Sequence, residues 1–244
     1  MDLQGKTALV TGSAVRIGRA IALALAEKGC NLILHYKTSE KAAEDVQSAA
    51  INFGVKALCI QGDFSRREQV ETLIPTALES IDHIDILINN AGIYISGSGL
   101  ETNAEDWERQ FAVNLQAPFI LSQAFAHQLP SNALGKIVNI SDARVFHQKP
   151  DHFAYRLSKS ALLDMTAMFA LELAPQICVN AVALGMMLPL VGREDVDLQA
   201  LANTRIPLQR IGSSEIVVQN VLHLLEQDFI TGEVIRVDGG EFLL

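Results

Sequence analysis

Long cationic runs are missing from this chain: across 244 residues the longest string of Lys and Arg is the pair Arg66-Arg67, and the formal net charge is −9. A nucleic acid would have to be held against that charge, which excludes it as a partner. Cysteine is scarce. Cys30, Cys59 and Cys178 show no C-x-x-C spacing, and each lies in or beside an apolar run. This excludes a disulfide framework and predicts buried, reduced thiols. The six histidines are scattered, without H-E-x-x-H or a Cys/His cluster, so no metal site is expected. No apolar stretch reaches the roughly 18 residues of a membrane span. The start, "MDLQGKTALVTGS", carries an acid at position 2 and lacks a basic leader, so a cytoplasmic protein is expected.

Repeats, low-complexity segments and Pro/Gly/Ser linkers are absent as well, and 49% hydrophobic content suffices for one full-sized core. A single domain over 1–244 is the expectation. Short β-rich runs alternate with helix-length segments: "KTALVT", "NLILHY", "KALCIQ", "IDILINN", "GKIVNIS", "ICVNAV" and "EVIRVD". Most are nearly continuous in apolar residues, as strands covered on both faces are. The alternation predicts an α/β fold, a doubly wound, Rossmann-type sheet of about seven parallel strands flanked by helices. Ser65 and Glu68 fit a capping box before "EQVETLIPTALESI", which Pro75 should kink or interrupt. The long irregular region 185–212 reads as a substrate lid, or else as a surface excursion with one or two short helices.

Ligands of such sheets bind beyond the C-terminal strand ends. There "TGSAVRIG", Thr11 to Gly18, joins the first strand to an apolar-periodic helix, the context a phosphate-binding turn requires. Gly12 permits the turn and Gly18 a close approach of helix to sheet. After the second strand, "HYKTSE" offers no acid before Glu40 to grip the ribose hydroxyls of NAD. His35, Lys37 and Ser39 suit the extra phosphate of NADP instead, although "KTSEK" also reads as a capped, solvated helix start.

Tyr155 and Lys159 stand four apart on a predicted helix and share a face, so the ammonium can stabilise a phenolate. Alone, that pair is common by chance. With Thr11-Gly12, Gly18, Asn89-Asn90-Ala91-Gly92, Asn114 and the terminal "ITGEVIRVDGG" in order, the whole chain resembles the short-chain dehydrogenase/reductases. The resemblance implies an NADPH-dependent oxidoreductase in which Lys159 also holds the nicotinamide ribose and Asn114 supports a water-linked proton path. It further implies that Asp63 lies beside the adenine and that Asn90 lines the nicotinamide half. Family members of this kind form homotetramers through helices around 104–128 and 152–174.

Thirteen residues before Tyr155, where most of the family has a hydrogen-bond-donating serine, this chain has Asp142, preceded by Ser141. An ionised carboxylate cannot donate, and it repels the alkoxide formed when hydride adds to a ketone. A double bond that ends at nitrogen removes that objection, since a carboxylate can accept ring N–H groups and position a proton through Tyr155. The plainer alternative is that Ser141 takes the serine role and Asp142 turns away.

Arg16 in the third-glycine slot, "HY..S" after the second strand, Asp142, "NLQAPF" and "LELAP" together resemble the pteridine reductase branch, which includes bacterial dihydromonapterin reductases. That likeness implies that Arg16, with Ile17 beside it, lies along the cofactor phosphates and reaches the pterin, and that Tyr36 belongs to the cofactor end. It also places Tyr94 as the ring that sandwiches the pterin against the nicotinamide, where plain packing is the other reading. Gly92, where the branch often has serine, and Leu184, in place of a proline, depart from the pattern. Met186, Met187 and Leu188 make the lid apolar, which suits a flat ring and equally a lipid-like chain. The expected function is reduction of a dihydropterin; the rivals are a carbonyl or 3-oxoacyl thioester reductase and a non-catalytic NADPH-binding regulator.

Overall fold

The computed structural model describes residues 1–188 and 197–243. Its elements alternate as the apolar pattern demands: β1 Thr7–Val10, α1 Arg16–Glu27, β2 Asn31–Tyr36, α2 Glu40–Asn52, β3 Ala57–Gln61, α3 Arg67–Leu78 and β4 Ile86–Asn89. The second half follows with α4 Ala104–Phe111, α5 Ala117–Gln128, β5 Gly135–Asp142, α6 Phe153–Glu172, β6 Ile177–Leu184, α7 Leu198–Arg205, α8 Ser214–Glu226 and β7 Val234–Val237. All neighbouring strands pair in parallel, in the order β3-β2-β1-β4-β5-β6-β7. The order reverses between β1 and β4, and at that switch point their C-terminal ends open a crevice.

Both faces of the sheet are covered, which explains the unbroken apolar strands. In β1, Ala8 and Val10 pack with α1 and α8 residues such as Leu25 and Leu224, whereas Leu9 packs on the other face with Leu73 and Phe125. In β4, Ile86 and Ile88 join the first cluster and Leu87 the second. Each such side chain contributes about 1.5–3 kcal/mol when removed from water, so a one-residue slip in either strand would be costly.

Three expectations change. The Ser65–Glu68 capping box does not form: Asp63 Oδ1 accepts from both the Ser65 amide (3.0 Å) and its hydroxyl (2.7 Å), and α3 starts after Arg66 without a side-chain cap. Pro75 does not interrupt α3, because it lies on the solvent side, where the carbonyl it leaves unbonded faces water. Of the three free thiols, only Cys30 is fully buried, and burial pushes it up to about 12; Cys59 and Cys178 are half-buried. Of the expected lid, residues 189–196 lie outside the described part. The rest contains α7, capped by Asp197 accepting from the Ala200 amide, and a return in which the Gly212 amide donates to Met186 O at 2.9 Å.

Candidate active site

The turn after β1 is tied to the end of β4 by a short-range network. Thr11 Oγ1 accepts from the amides of Asn90 and Ala91, both at 2.9 Å, and Asn90 Nδ2 donates to Thr11 O at 2.8 Å and Gly12 O at 3.2 Å. Gly12 has φ +63°, and a Cβ on Gly18 would lie 2.2 Å from Gly12 O, so neither position tolerates a larger residue. Arg16 itself has φ +54°, a left-handed conformation that costs a non-glycine residue about 1–2 kcal/mol. Its reward is placement: Arg16 and Ile17 line both a cleft of about 340 Å³ over the turn and a second of about 240 Å³ over the end of β5. Asn90, Gly92 and Ile93 also line both, so the two clefts are continuous.

At the outer end of the first cleft, the expectation for His35 needs correction. Its ring is 3% exposed and stacked on Phe64 at 4.0 Å; Nδ1 accepts from the Gly12 amide at 3.1 Å, and Nε2 pairs with Gly62 O at 3.0 Å. Those partners require the neutral Nε2–H tautomer, and burial holds the ring down to about 4. His35 therefore braces the glycine turn and carries no charge for a phosphate. Lys37 lines the cleft, paired with Asp63 at 2.9 Å. Against desolvation that pushes it up, Lys37 and the Ser65 hydrogen bonds hold Asp63 down to about 2. The Tyr36 ring is buried against Ala14 and Ala43, with its hydroxyl 3.4 Å from Glu40 Oε1, so it supports the second strand end and does not line the cleft. Ser39 precedes α2 as its N-cap without a side-chain bond to it, and it is not among the residues lining the cleft. Arg109 of α4, which no sequence motif singled out, lines the same cleft as Arg16 and Lys37.

The second cleft gathers Asp142, Tyr155 and Lys159. Asp142 ends β5 and Tyr155 sits in the first turn of α6; the Tyr155 hydroxyl donates to Asp142 Oδ2 at 2.9 Å. Burial, and then the Asp142 carboxylate, raise the phenol well above its ordinary value of 10. Lys159 shares the cleft, but its Nζ donates to Ile140 O at 2.8 Å and makes no bond to Tyr155. Burial lowers Lys159 to about 8, with Asp142 pulling the other way. The alternative for Ser141 is not what the geometry supports: its hydroxyl donates to Lys159 O at 3.1 Å, while Asp142 faces the tyrosine.

Asn114 is tied into the scaffold. It lies in a π-helical stretch, Ala112–Gln116, and its side chain is consumed by Ile93 N (2.9 Å), Ile93 O (3.0 Å) and Ser158 Oγ (3.1 Å). That side chain joins the β4 loop to α6. Tyr94 does line the cleft, but one face of its ring is stacked on His152 at 4.4 Å, and it meets Tyr155 edge-on at 4.8 Å. His152, at φ +50°, precedes α6, and burial and then the Arg144 charge lower it. Arg144 and Arg156, both overlooked in the sequence, fix the loop between β5 and α6: Arg156 donates to Arg144 O, His147 O and Asp151. Among the described residues no cluster fit to hold a metal occurs, and no helix is long and apolar enough to cross a membrane.

Comparison with known proteins adds to this geometry. Residues 12–241 match the family described as Enoyl-(Acyl carrier protein) reductase. The 3-oxoacyl-[acyl-carrier-protein] reductase FabG of Aquifex aeolicus is 36% identical over 246 residues, covering 99% of each chain. Among solved structures, FolM Alternative dihydrofolate reductase 1 from Brucella canis, complexed with NADP, superposes with a TM-score of 0.93 at 34% identity, covering 100% of this chain and 97% of that one. A blue fluorescent protein from a metagenomic library, in complex with NADPH, gives 0.92 at 31% identity, covering 99% of each.

Proposed function

The chain belongs to the short-chain dehydrogenase/reductase family and is an oxidoreductase, and from that premise we propose that it uses NADPH to reduce a pterin-type heterocycle, a dihydropterin to its tetrahydro form. The observation that carries this reading is the 2.9 Å bond from Tyr155 to Asp142. The residues fit the cofactor: Gly18 leaves the turn open for a close approach, and Arg16, Lys37 and Arg109 set three cations along a cleft whose walls include one acid, Asp63. Bound there, NADPH supplies the hydride that adds to the carbon of the substrate's C=N bond.

The chain's own groups manage the proton. Burial and Asp142 hold the Tyr155 pKa up, so the phenol carries its proton before turnover, and charge from nearby cations is needed to help it leave. Tyr155 donates to the ring nitrogen, the N–H bond forms as the O–H bond breaks, and Lys159, in the same cleft, supplies positive charge toward the phenolate until solvent returns a proton. Asp142 accepts N–H groups of the heterocycle, for which it has acceptor capacity and a serine would not carry the charge. Tyr94 offers a ring edge or its remaining face as one wall.

A second reading, reduction of a 3-oxoacyl thioester, is favoured by the 3-oxoacyl-[acyl-carrier-protein] reductase among the relatives. The deciding experiment is the rate of NADPH oxidation with a dihydropterin, beside an acetoacetyl thioester and an NADH control. Turnover of the pterin with NADPH supports the proposal; turnover of the thioester alone overturns it.

A further inference from the structure

Asp142 has two oxygens with separate partners. Oδ2 faces Tyr155, whereas Oδ1 accepts from the Arg144 amide at 2.8 Å and lies 3.7 Å from Arg144 Nε. From the same guanidinium, Nη1 donates to the Tyr94 hydroxyl at 2.5 Å, and the guanidinium carbon lies 5.2 Å from the Tyr94 ring centroid. Arg144 is only 24% exposed, and its own carbonyl is clamped by Arg156, itself 8% exposed and bonded to Asp151. One cation thus grips the carboxylate beneath the reacting atoms and the aromatic side chain beside them. Arg144 does not line the cleft. It stands behind both walls.

We propose that Arg144 is a positioning residue of the reductase, fixing Asp142 and Tyr94 relative to each other so that the carboxylate presents one oxygen to Tyr155 and the Tyr94 ring closes the slot beside it. The proposal rests on the role given above to Asp142. The rigid guanidinium donates to the Tyr94 hydroxyl while holding its charge 3.7 Å from Asp142 Oδ1, two places that an ammonium on a flexible stem holds less well at once. Misplacement of a wall by about 1 Å is enough to slow a hydride transfer substantially.

The test is a double-mutant cycle on kcat and KM with R144Q, Y94F and the double variant, alongside R144K. It is run on whichever of the dihydropterin and the acetoacetyl thioester the wild-type enzyme turns over. R144Q is expected to lower kcat about tenfold and Y94F about threefold, with the double variant no slower than R144Q because the two act through one contact. R144K should recover part of the loss. NADPH affinity should stay at the wild-type value and kcat should fall by more than any loss of Tm accounts for, which a merely structural role would not allow. Should R144Q fail to fold, R144K and R144K/Y94F close the same cycle. Effects that multiply, an R144Q enzyme as fast as wild type, or a kcat that falls only in step with Tm would each overturn the role of Arg144. A wild-type enzyme active on the thioester alone sinks the pterin reading instead, and the coupling between Arg144 and Tyr94 is then read on the thioester.

Discussion

At the scale of single residues, the proposed reduction depends most on Asp142. In D142S the carboxylate that faces Tyr155 Oη at 2.9 Å is replaced by a hydroxyl. Pterin turnover is expected to fall about 100-fold, the size of a positioned proton-transfer contribution, while thioester turnover holds or rises; equal losses on both substrates would count against the assignment. His35 gives a second prediction, on stability. Its pKa is 6.5 in an unfolded chain and about 4 in the buried turn. Between those values the unfolded chain binds the extra proton, so stability is intact above 6.5 and is lost as the pH falls toward 4, by up to about 3 kcal/mol. Denaturant titrations of wild type and H35N at pH 7 and pH 4.5 check this: H35N should be less stable at pH 7 yet lose less on acidification. Equal losses would show that His35 is not the proton-linked group. The contrast between these two residues shows what a sequence reveals of a site. Tyr155, Lys159 and Asp142 were legible because spacing along one helix and distance from the tyrosine fix their places. The partners of His35 and Asn114 were not, since a side chain's letter does not show which groups distant in sequence will take up its polar atoms. Arg144 was hidden for the same reason: its partners, Tyr94 and Asp142, converge only when β4 and β5 pair.

At the scale of elements, the strand–turn–helix unit around "TGSAVRIG" is the proposed seat of the cofactor, and Gly18 is its tightest point. In G18A the new methyl would sit 2.2 Å from Gly12 O and 2.5 Å from Asn90 Nδ2. Backbone cannot yield there without breaking the bonds of Asn90 to Thr11 and Gly12, so about 2 kcal/mol of overpacking is expected, enough to lower Tm by several degrees in a domain of this size. NADPH affinity should fall with it, measured by fluorescence titration; a G18A protein that binds NADPH as wild type does would show the turn is not the cofactor's seat. Elements of this kind were the most legible part of the chain. Apolar runs unbroken by polar residues announce strands covered on both faces, and all seven formed in parallel register. Helix starts were less legible, because they depend on which carboxylate reaches an amide first. Asp63, two residues before Ser65, takes the hydroxyl that the capping box needed.

At the scale of the whole molecule, several of the apolar side chains left on the surface meet in one groove on the helices that the family resemblance implicated in assembly. Trp107 is 38% exposed, Phe119 42% and Met168 69%, and together with Phe111 and Met165 they line a groove of about 740 Å³ between α4, α5 and α6. Trp107 and Phe111 stack at 4.4 Å, so the groove is a firm aromatic surface. A contiguous apolar patch of this kind marks an interaction site far more often than scattered exposed leucines do. The partner proposed is a second copy of the chain, in a homotetramer. In such an assembly helix α6 would have two duties, carrying Tyr155 and Lys159, which are buried, while Met165 and Met168, which line the groove, would meet the neighbour. Substituting M168E or F119E places a charge in that contact, where no cation of the groove is available to pair with it, since Glu108 and Asp164 are its charged members. Light scattering on a size-exclusion column should find wild type at four times the 26.5 kDa chain mass and both variants at lower order, with unchanged circular dichroism. If the tetramer holds α6 in place, kcat falls as the assembly dissociates on dilution, and the variants reproduce the dilute wild type. A monomeric wild-type protein, or variants that assemble normally, would remove the tetramer and leave the groove without this occupant.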